Sequence, residues 1–385
     1  MEIQRVEELK KLTSSLKNTQ AVVILGPRQC GKTTLAGQFS KLHPAPSIPI
    51  FDLENPTDLA RLTDPMLALE KLKGIIIIDE IQRRPDLFPV LRVLIDNDKD
   101  KRFVILGSAS RDLIRQSSET LAGRIHYLEL GGFSLNIPTL VRDQLWLRGG
   151  LPPSYLAPDD DSSLKWRRDY ILTFLERDIP NLGFRTPAET LHRFWIMLAH
   201  YHGQLFNASE LAKSMDASHV TMKHYLDILT GTFMIRRLAP WHYNTKKRLI
   251  KAPKVYFRDS GIFHALLSIK GNEDLLNHPR LGASWEGFAL EEAIRHLELN
   301  AEEVYFWGVH TGASLDIVFL RGGKMWGVEV KYQAAPSLTR SMVSALSELS
   351  LAHLFVIYPG KDKFPLGRTA TALPLDHLKD ISMSP

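Results

Sequence analysis

The chain has 385 residues, 44% of them hydrophobic and 24% charged, with a single Cys; this length exceeds one ordinary core, so two or three domains are expected, and the mixed composition excludes a disordered chain. One cysteine excludes an internal disulfide framework and a thiolate metal cluster, and the longest apolar runs, Val22–Leu25 and Ile75–Ile78, fall far short of the roughly 18 residues of a membrane span. The net charge of +5, from 48 Lys and Arg against 43 Asp and Glu, permits a nucleic-acid partner without requiring one, and the charged N-terminus is unlike a secretion leader, so the expected location is the cytoplasm without membrane contact.

From about Gln20 to Leu130, short apolar runs alternate with amphipathic segments: AVVIL, a Gly-rich turn and helix, IPIFDL, a helix, GIIIIDE, a helix, RFVILGS, a helix, and RIHYLEL. Continuous apolar runs are strands buried on both faces, so the alternation predicts an α/β domain over residues 1–140, a parallel sheet with helices on both faces. Gly26, Pro27, Arg28, Gln29, Cys30, Gly31, Lys32 and Thr33, followed by Thr34, satisfy G-x-x-x-x-G-K-[ST] between the first strand and its helix. Glycines let backbone N–H groups curl inward around phosphate at a helix N-terminus, Lys32 reaches the β/γ-phosphates, and Thr33 can ligate Mg²⁺. Cys30 lies inside this loop and is read there as a small tolerated side chain.

Asp79 and Glu80 end the isoleucine strand, where open α/β sheets bind ligands; Asp79 is expected in the Mg²⁺ shell and Glu80 as the group that polarises attacking water. Ser108 ends RFVILG and can orient water or the γ-phosphate. Arg124, in LAGR before the last strand, has two readings from its position alone, a functional cation or a structural ion pair. The expected sheet order, the Asp-Glu strand end, the polar residue after the fourth strand and the arginine before the fifth resemble an AAA+ P-loop ATPase. More narrowly, GPRQCGKTT, FDLENP, IIIIDEIQ, ILGSAS, LAGR, RGGLP and YILTFLERDI resemble prokaryotic AAA ATPases that carry a C-terminal domain of unknown function. That resemblance implies ATP rather than GTP, and Arg124 as an arginine finger offered to a neighbouring subunit, hence a homo-oligomer.

A polar stretch at residues 157–163 predicts a linker within a helical segment, 141–200. Over 201–245 the pattern resembles a winged helix-turn-helix: Ser209 is the candidate cap of one helix and Ser218 of the next, with Val220, Tyr225 and Leu229 packed inward and Thr221, Lys223 and His224 outward. Arg236 and Arg237 then fall in the wing, and Lys246, Lys247, Arg248, Lys251 and Lys254 interleave with Trp241, His242 and Tyr243, a composition suited to nucleic acid, DNA ahead of RNA.

Residues 246–385 predict a second α/β domain. LDIVFL and MWGVEV read as a hairpin closed by Gly322-Gly323, which pairs Arg321 with Lys324 and sets Asp316 opposite Glu329, with Lys331 on the same face. Facing carboxylates call for a divalent cation, and D…ExK in this arrangement resembles the PD-(D/E)xK nucleases, although Leu315 stands where that motif has Pro. The resemblance assigns metal binding to Asp316, Glu329 and a helical acid, Glu286 with Glu291 as its substitute, and charge stabilisation to Lys331. The function expected is an Mg²⁺-dependent ATPase whose C-terminal half binds and, where active, cleaves nucleic acid. The alternative is an ATP-gated protein-interaction switch with a catalytically silent nuclease-like docking domain.

Overall fold

The computed structural model describes residues 3–43, 47–108, 117, 119–241, 250–310 and 312–381. The chain divides into two compact units, residues 1–133 with 231–233, and residues 134–230 with 234–385.

The first unit is built on β1 (Ala21–Gly26), β2 (Ile50–Asp52), β3 (Ile75–Asp79), β4 (Arg102–Ser108) and β5 (Ile125–Glu129). All pairings are parallel, in the order β2-β3-β4-β1-β5. Every residue of β1 is buried, which is possible for a run of apolar side chains only when both sheet faces are covered. One core joins alternate residues of β1, β3 and β4 to Leu87, Phe88, Leu91, Leu94 and Ile95 of the helix Leu87–Asn97. The unit is therefore the α/β parallel-sheet fold expected of a P-loop nucleotide-binding domain, and its strand order carries the C-terminal ends of β1 and β3 to one edge, with β4 between them.

The second unit contains an eight-stranded mixed sheet: β6 (Ile235–Pro240), β7 (Lys254–Phe257), β8 (Tyr305–Gly308), β9 (Ser314–Arg321), β10 (Lys324–Val330), β11 (His353–Tyr358), β12 (Phe364–Gly367) and β13 (Ala370–Pro374), ordered β12-β13-β11-β10-β9-β8-β6-β7. Gly322 and Gly323 both take positive φ, 59° and 71°, the geometry of a tight two-residue hairpin turn, and the ladder runs from Lys324↔Arg321 to Val328↔Ile317 as the sequence predicts.

Several local expectations give way. Residues 157–163 are no linker: the Asp159 carboxylate accepts the Ser162 N–H at 2.7 Å and caps the helix Asp160–Thr173, and Ser163 is buried. Helices Ala208–Met215 and His219–Gly231 flank Asp216 in the left-handed region, but Asn207 rather than Ser209 caps the first. The Ser218 hydroxyl does accept the Thr221 N–H at 3.0 Å at the start of the second. Val220, expected inward, is 62% exposed, and Met222 is buried in its stead. The strands read as a wing belong to the large sheet, because β6 pairs with β8 as well as with β7. The basic residues Lys246, Lys247 and Arg248, with His242 and Tyr243, lie outside the described residues. Among the described residues, no helix is long and apolar enough to cross a membrane.

Candidate functional sites

At the end of β1 the chain turns through Gln29 and Gly31 at φ 58° and 98°, and the helix Lys32–Lys41 begins. A side chain at Gly26 would strike the Leu130 carbonyl oxygen, 2.1 Å from an ideal Cβ, so only glycine lets the loop leave the sheet here. Lys32 is buried, and its Nζ donates to the carbonyls of Gly26 and Pro27 at 3.0 and 2.9 Å. The Thr33 hydroxyl donates to Asp79 Oδ2 at 2.6 Å, which joins the loop to the end of β3. The other Asp79 oxygen accepts the Glu80 N–H at 2.8 Å. Burial raises the Asp79 carboxyl above its ordinary value against the Thr33 hydrogen bond; burial, then the charge of Asp79, raises that of Glu80.

Glu80 sits in the left-handed region at φ 57°, and its Oε2 accepts from the Gln82 amide, whose own Oε1 is buried without a hydrogen-bond partner. Ser108 is the register partner of Gly26 in the β1–β4 ladder, which sets its backbone beside the loop; its side chain lies outside the described residues. The Cys30 thiol is fully buried. Two arginines complete the picture. Arg5, 3% exposed, donates to the Cys30 carbonyl at 2.5 Å and the Gly131 carbonyl at 2.9 Å, and so braces the loop from a position no motif marks. Arg124 lies at the opposite end of the sheet: its carbonyl accepts the Ala21 N–H at 2.9 Å, and its guanidinium holds Asp96 at 2.8 and 3.2 Å.

The second cluster gathers Glu286 from the helix Leu281–His296, Asp316 from β9, and Glu329 and Lys331 from the end of β10. Asp316 and Glu329 are joined through the backbone: the Asp316 N–H donates to Glu329 Oε2 at 3.2 Å and the Val330 N–H to Asp316 Oδ2 at 3.0 Å. Lys331 Nζ lies 2.6 Å from Glu329 Oε1. Two members have no counterpart in the motif. Lys254 of β7 donates to Asp316 Oδ1 at 3.1 Å and lies 3.7 Å from Glu286 Oε1, and the Tyr256 hydroxyl donates to that same Glu286 oxygen at 2.7 Å. Burial, reinforced by the Asp316 charge, raises Glu286 to about 7 and Glu329 to about 8. Burial depresses Lys254, but Asp316 and Glu286 outweigh it and hold the ammonium at about 12.

These contacts correct five expectations. Lys254 is not part of an outward basic surface. Glu291 is no metal ligand, because Arg236 grips it through both oxygens and Arg258 approaches at 3.8 Å; the same pairing makes Arg236 an interior residue rather than a wing contact. Arg237 is spent on Asp227 at 2.9 Å. Finally, Asp316, Glu329 and Glu286 do not fit a divalent cation as they stand: among the described residues no group of three or more His, Cys, Asp or Glu is arranged to hold a metal, and Lys254 occupies the space between two of the acids. Sequence reasoning assigned Lys254 to a basic surface and missed Tyr256 and Arg5, since nothing local distinguishes them; the one available signal was the β-like alternation of KVYF, which sends Lys254 and Tyr256 to one face.

Residues 18–136 match the family described as an AAA domain, so the first unit is an AAA-type P-loop domain; residues 141–273 and 281–378 match two domains of unknown function, DUF8612 and DUF4143. Among solved structures, the Walker-type ATPase PABY2304 of Pyrococcus abyssi is 15% identical and aligns over 69% of this chain and 96% of its own with a TM-score of 0.48. The Aeropyrum pernix Orc1 protein, solved in complex with DNA, is 14% identical over 70% of this chain and 93% of its own, TM-score 0.32. Two curated proteins, Rv2008c of Mycobacterium tuberculosis and Mb2031c of Mycobacterium bovis, are each 48% identical over 380 residues, covering 98% of this chain and 85% of theirs. The chain therefore belongs to the same family as these mycobacterial proteins.

Proposed function

We propose that the chain is an ATP-hydrolysing AAA-type switch, and the observation that carries this reading is the Thr33–Asp79 hydrogen bond across a loop that buries Lys32. A hydroxyl and a carboxylate 2.6 Å apart, beside inward-curling backbone, fit the ligand shell of Mg²⁺ at the phosphates. When bound, Mg²⁺ supplies charge neutralisation at the β- and γ-phosphates. The residues do the rest: the loop amides and Lys32 hold the phosphates, Glu80 takes up the proton of the attacking water once Gln82 releases it, and Ser108 stands beside the loop to orient that water. Arg124 cannot serve its own loop, because the five residue steps from Ala21 to Gly26 separate them by about 17 Å of strand; a neighbouring subunit's nucleotide is its reachable target, and the Asp96 pair opens when it is used.

For the C-terminal half, the engagement of Lys254 with Asp316 and Glu286 favours the docking reading, in which nucleotide state sets the affinity for a partner. The second reading, DNA or RNA bound by the helix-turn-helix face, rests on outward Lys223 and His224. One experiment separates the parts. ATP turnover is measured with Lys32→Ala and Glu80→Gln, and for wild type with and without single-stranded DNA, duplex DNA and RNA. Lys32→Ala is expected to lose nucleotide binding, and Glu80→Gln to bind ATP while losing about 10²–10³-fold in turnover. Normal turnover by Glu80→Gln defeats the catalytic reading; stimulation by nucleic acid with product bands on a gel defeats the docking one.

A further inference from the structure

We propose that Lys254 is the resident cation of the C-terminal carboxylate cluster, standing where a divalent metal would stand, so that this site is metal-free by construction. The argument begins with acceptor capacity. Asp316 uses Oδ1 for Lys254 and Oδ2 for the Val330 N–H; Glu329 uses Oε1 for Lys331 and Oε2 for the Asp316 N–H; Glu286 gives Oε1 to Tyr256. A divalent ion asks for several oxygens aimed at one point, and here both oxygens of the two strand acids are already aimed at protein donors.

Charge gives the second step. Three carboxylates face two ammonium groups, so the cluster is short of one positive charge at most, and adding a divalent ion without removing Lys254 would leave it overcharged in a site where Asp316 and Glu329 are only 6% and 5% exposed. Placement gives the third. Lys254 is fixed by a strand rather than a loop: β7 pairs with β6, the Leu205 bridge pairs with Lys254 itself, and the Nζ lies 6.0 and 5.8 Å from the ring centres of Tyr256 and Phe306, faces that suit a large monovalent ammonium. The side chain is 13% exposed and held over Asp316 and Glu286 together, so its withdrawal would leave both acids without their shared counter-charge.

The test uses the full-length, nucleotide-free chain and Mn²⁺ as the probe, with bound ion counted by electron paramagnetic resonance, and it is independent of ATP turnover. Wild type is expected to bind no Mn²⁺ that Glu329→Gln removes. Lys254→Met, and Lys254→Gln as a polar second variant should the first fail to fold, are expected to gain one Mn²⁺ at least about tenfold tighter than wild type, with a rise in melting temperature on adding Mn²⁺. Adding Glu329→Gln to the same chain should abolish both. The proposal is overturned if wild type holds an ion that Glu329→Gln releases, or if folded Lys254 variants bind Mn²⁺ no better than wild type.

Discussion

Arg5 and Cys30 meet through a main-chain oxygen, and that contact governs how firmly the phosphate loop is held. The guanidinium satisfies two carbonyls, Cys30 and Gly131, while the Arg5 backbone N–H donates to Gln38 Oε1. Removing it strands buried acceptors, each costing about 1–3 kcal/mol. Arg5→Met is therefore expected to lower the melting temperature and weaken ATP affinity without altering which nucleotide is preferred; calorimetric titration and thermal unfolding check both, and unchanged affinity would show that the brace is dispensable. Residues of this kind are invisible in the sequence for a plain reason. Gly26 to Thr33 and Asp79-Glu80 announce themselves because the chemistry lies in consecutive residues, whereas Arg5 and Lys254 act on groups 25 and 62 residues away, Cys30 and Asp316.

At the scale of elements, the helix Leu281–His296 explains why β6 lies in the large sheet. It buries Glu291 and Glu292 within one turn, and each must find a donor: Glu291 takes Arg236 from β6, and Glu292 takes the Leu135 N–H at 2.7 Å. A strand carrying the counter-ion of a buried acid is tied to the helix that bears it. The pattern of two helices and a β pair was legible in the sequence; the destination of that pair was not, because a wing and an inserted sheet strand share the same alternation and differ only in what lies across from Arg236. Arg236→Met should cost about 3–5 kcal/mol, since it leaves Glu291 charged and buried, while Arg236→Met combined with Glu291→Leu should recover most of that loss. Urea unfolding of the two variants provides the comparison, and equal loss in both would mean that the pair does not act as a unit.

For the whole molecule, the role proposed for Arg124 makes assembly a testable requirement. It lies at the far end of the sheet from Gly26 and is paired with Asp96, so under the proposed function it would act in hydrolysis only by serving another copy. Arg124→Ala is expected to bind ATP normally yet turn over at least about 10³-fold more slowly, and mixing it with Lys32→Ala should restore part of the activity, since one variant offers an intact loop and the other an intact arginine. Light scattering before and after adding ATP checks the association; a monomer with no rescue on mixing removes the arginine from the mechanism.

The strand order has one more consequence, and it concerns time. β1 carries the phosphate loop and is made before both of its sheet neighbours, β4, which begins at residue 102, and β5, which begins at 125. Until β4 has emerged neither edge of this fully apolar strand is paired, and until β5 has emerged one edge stays open. At roughly 5–20 residues per second that wait lasts several seconds, long enough for a nascent chain to aggregate or to engage a chaperone. Any fragment that stops short of β5 leaves that edge of β1 open permanently.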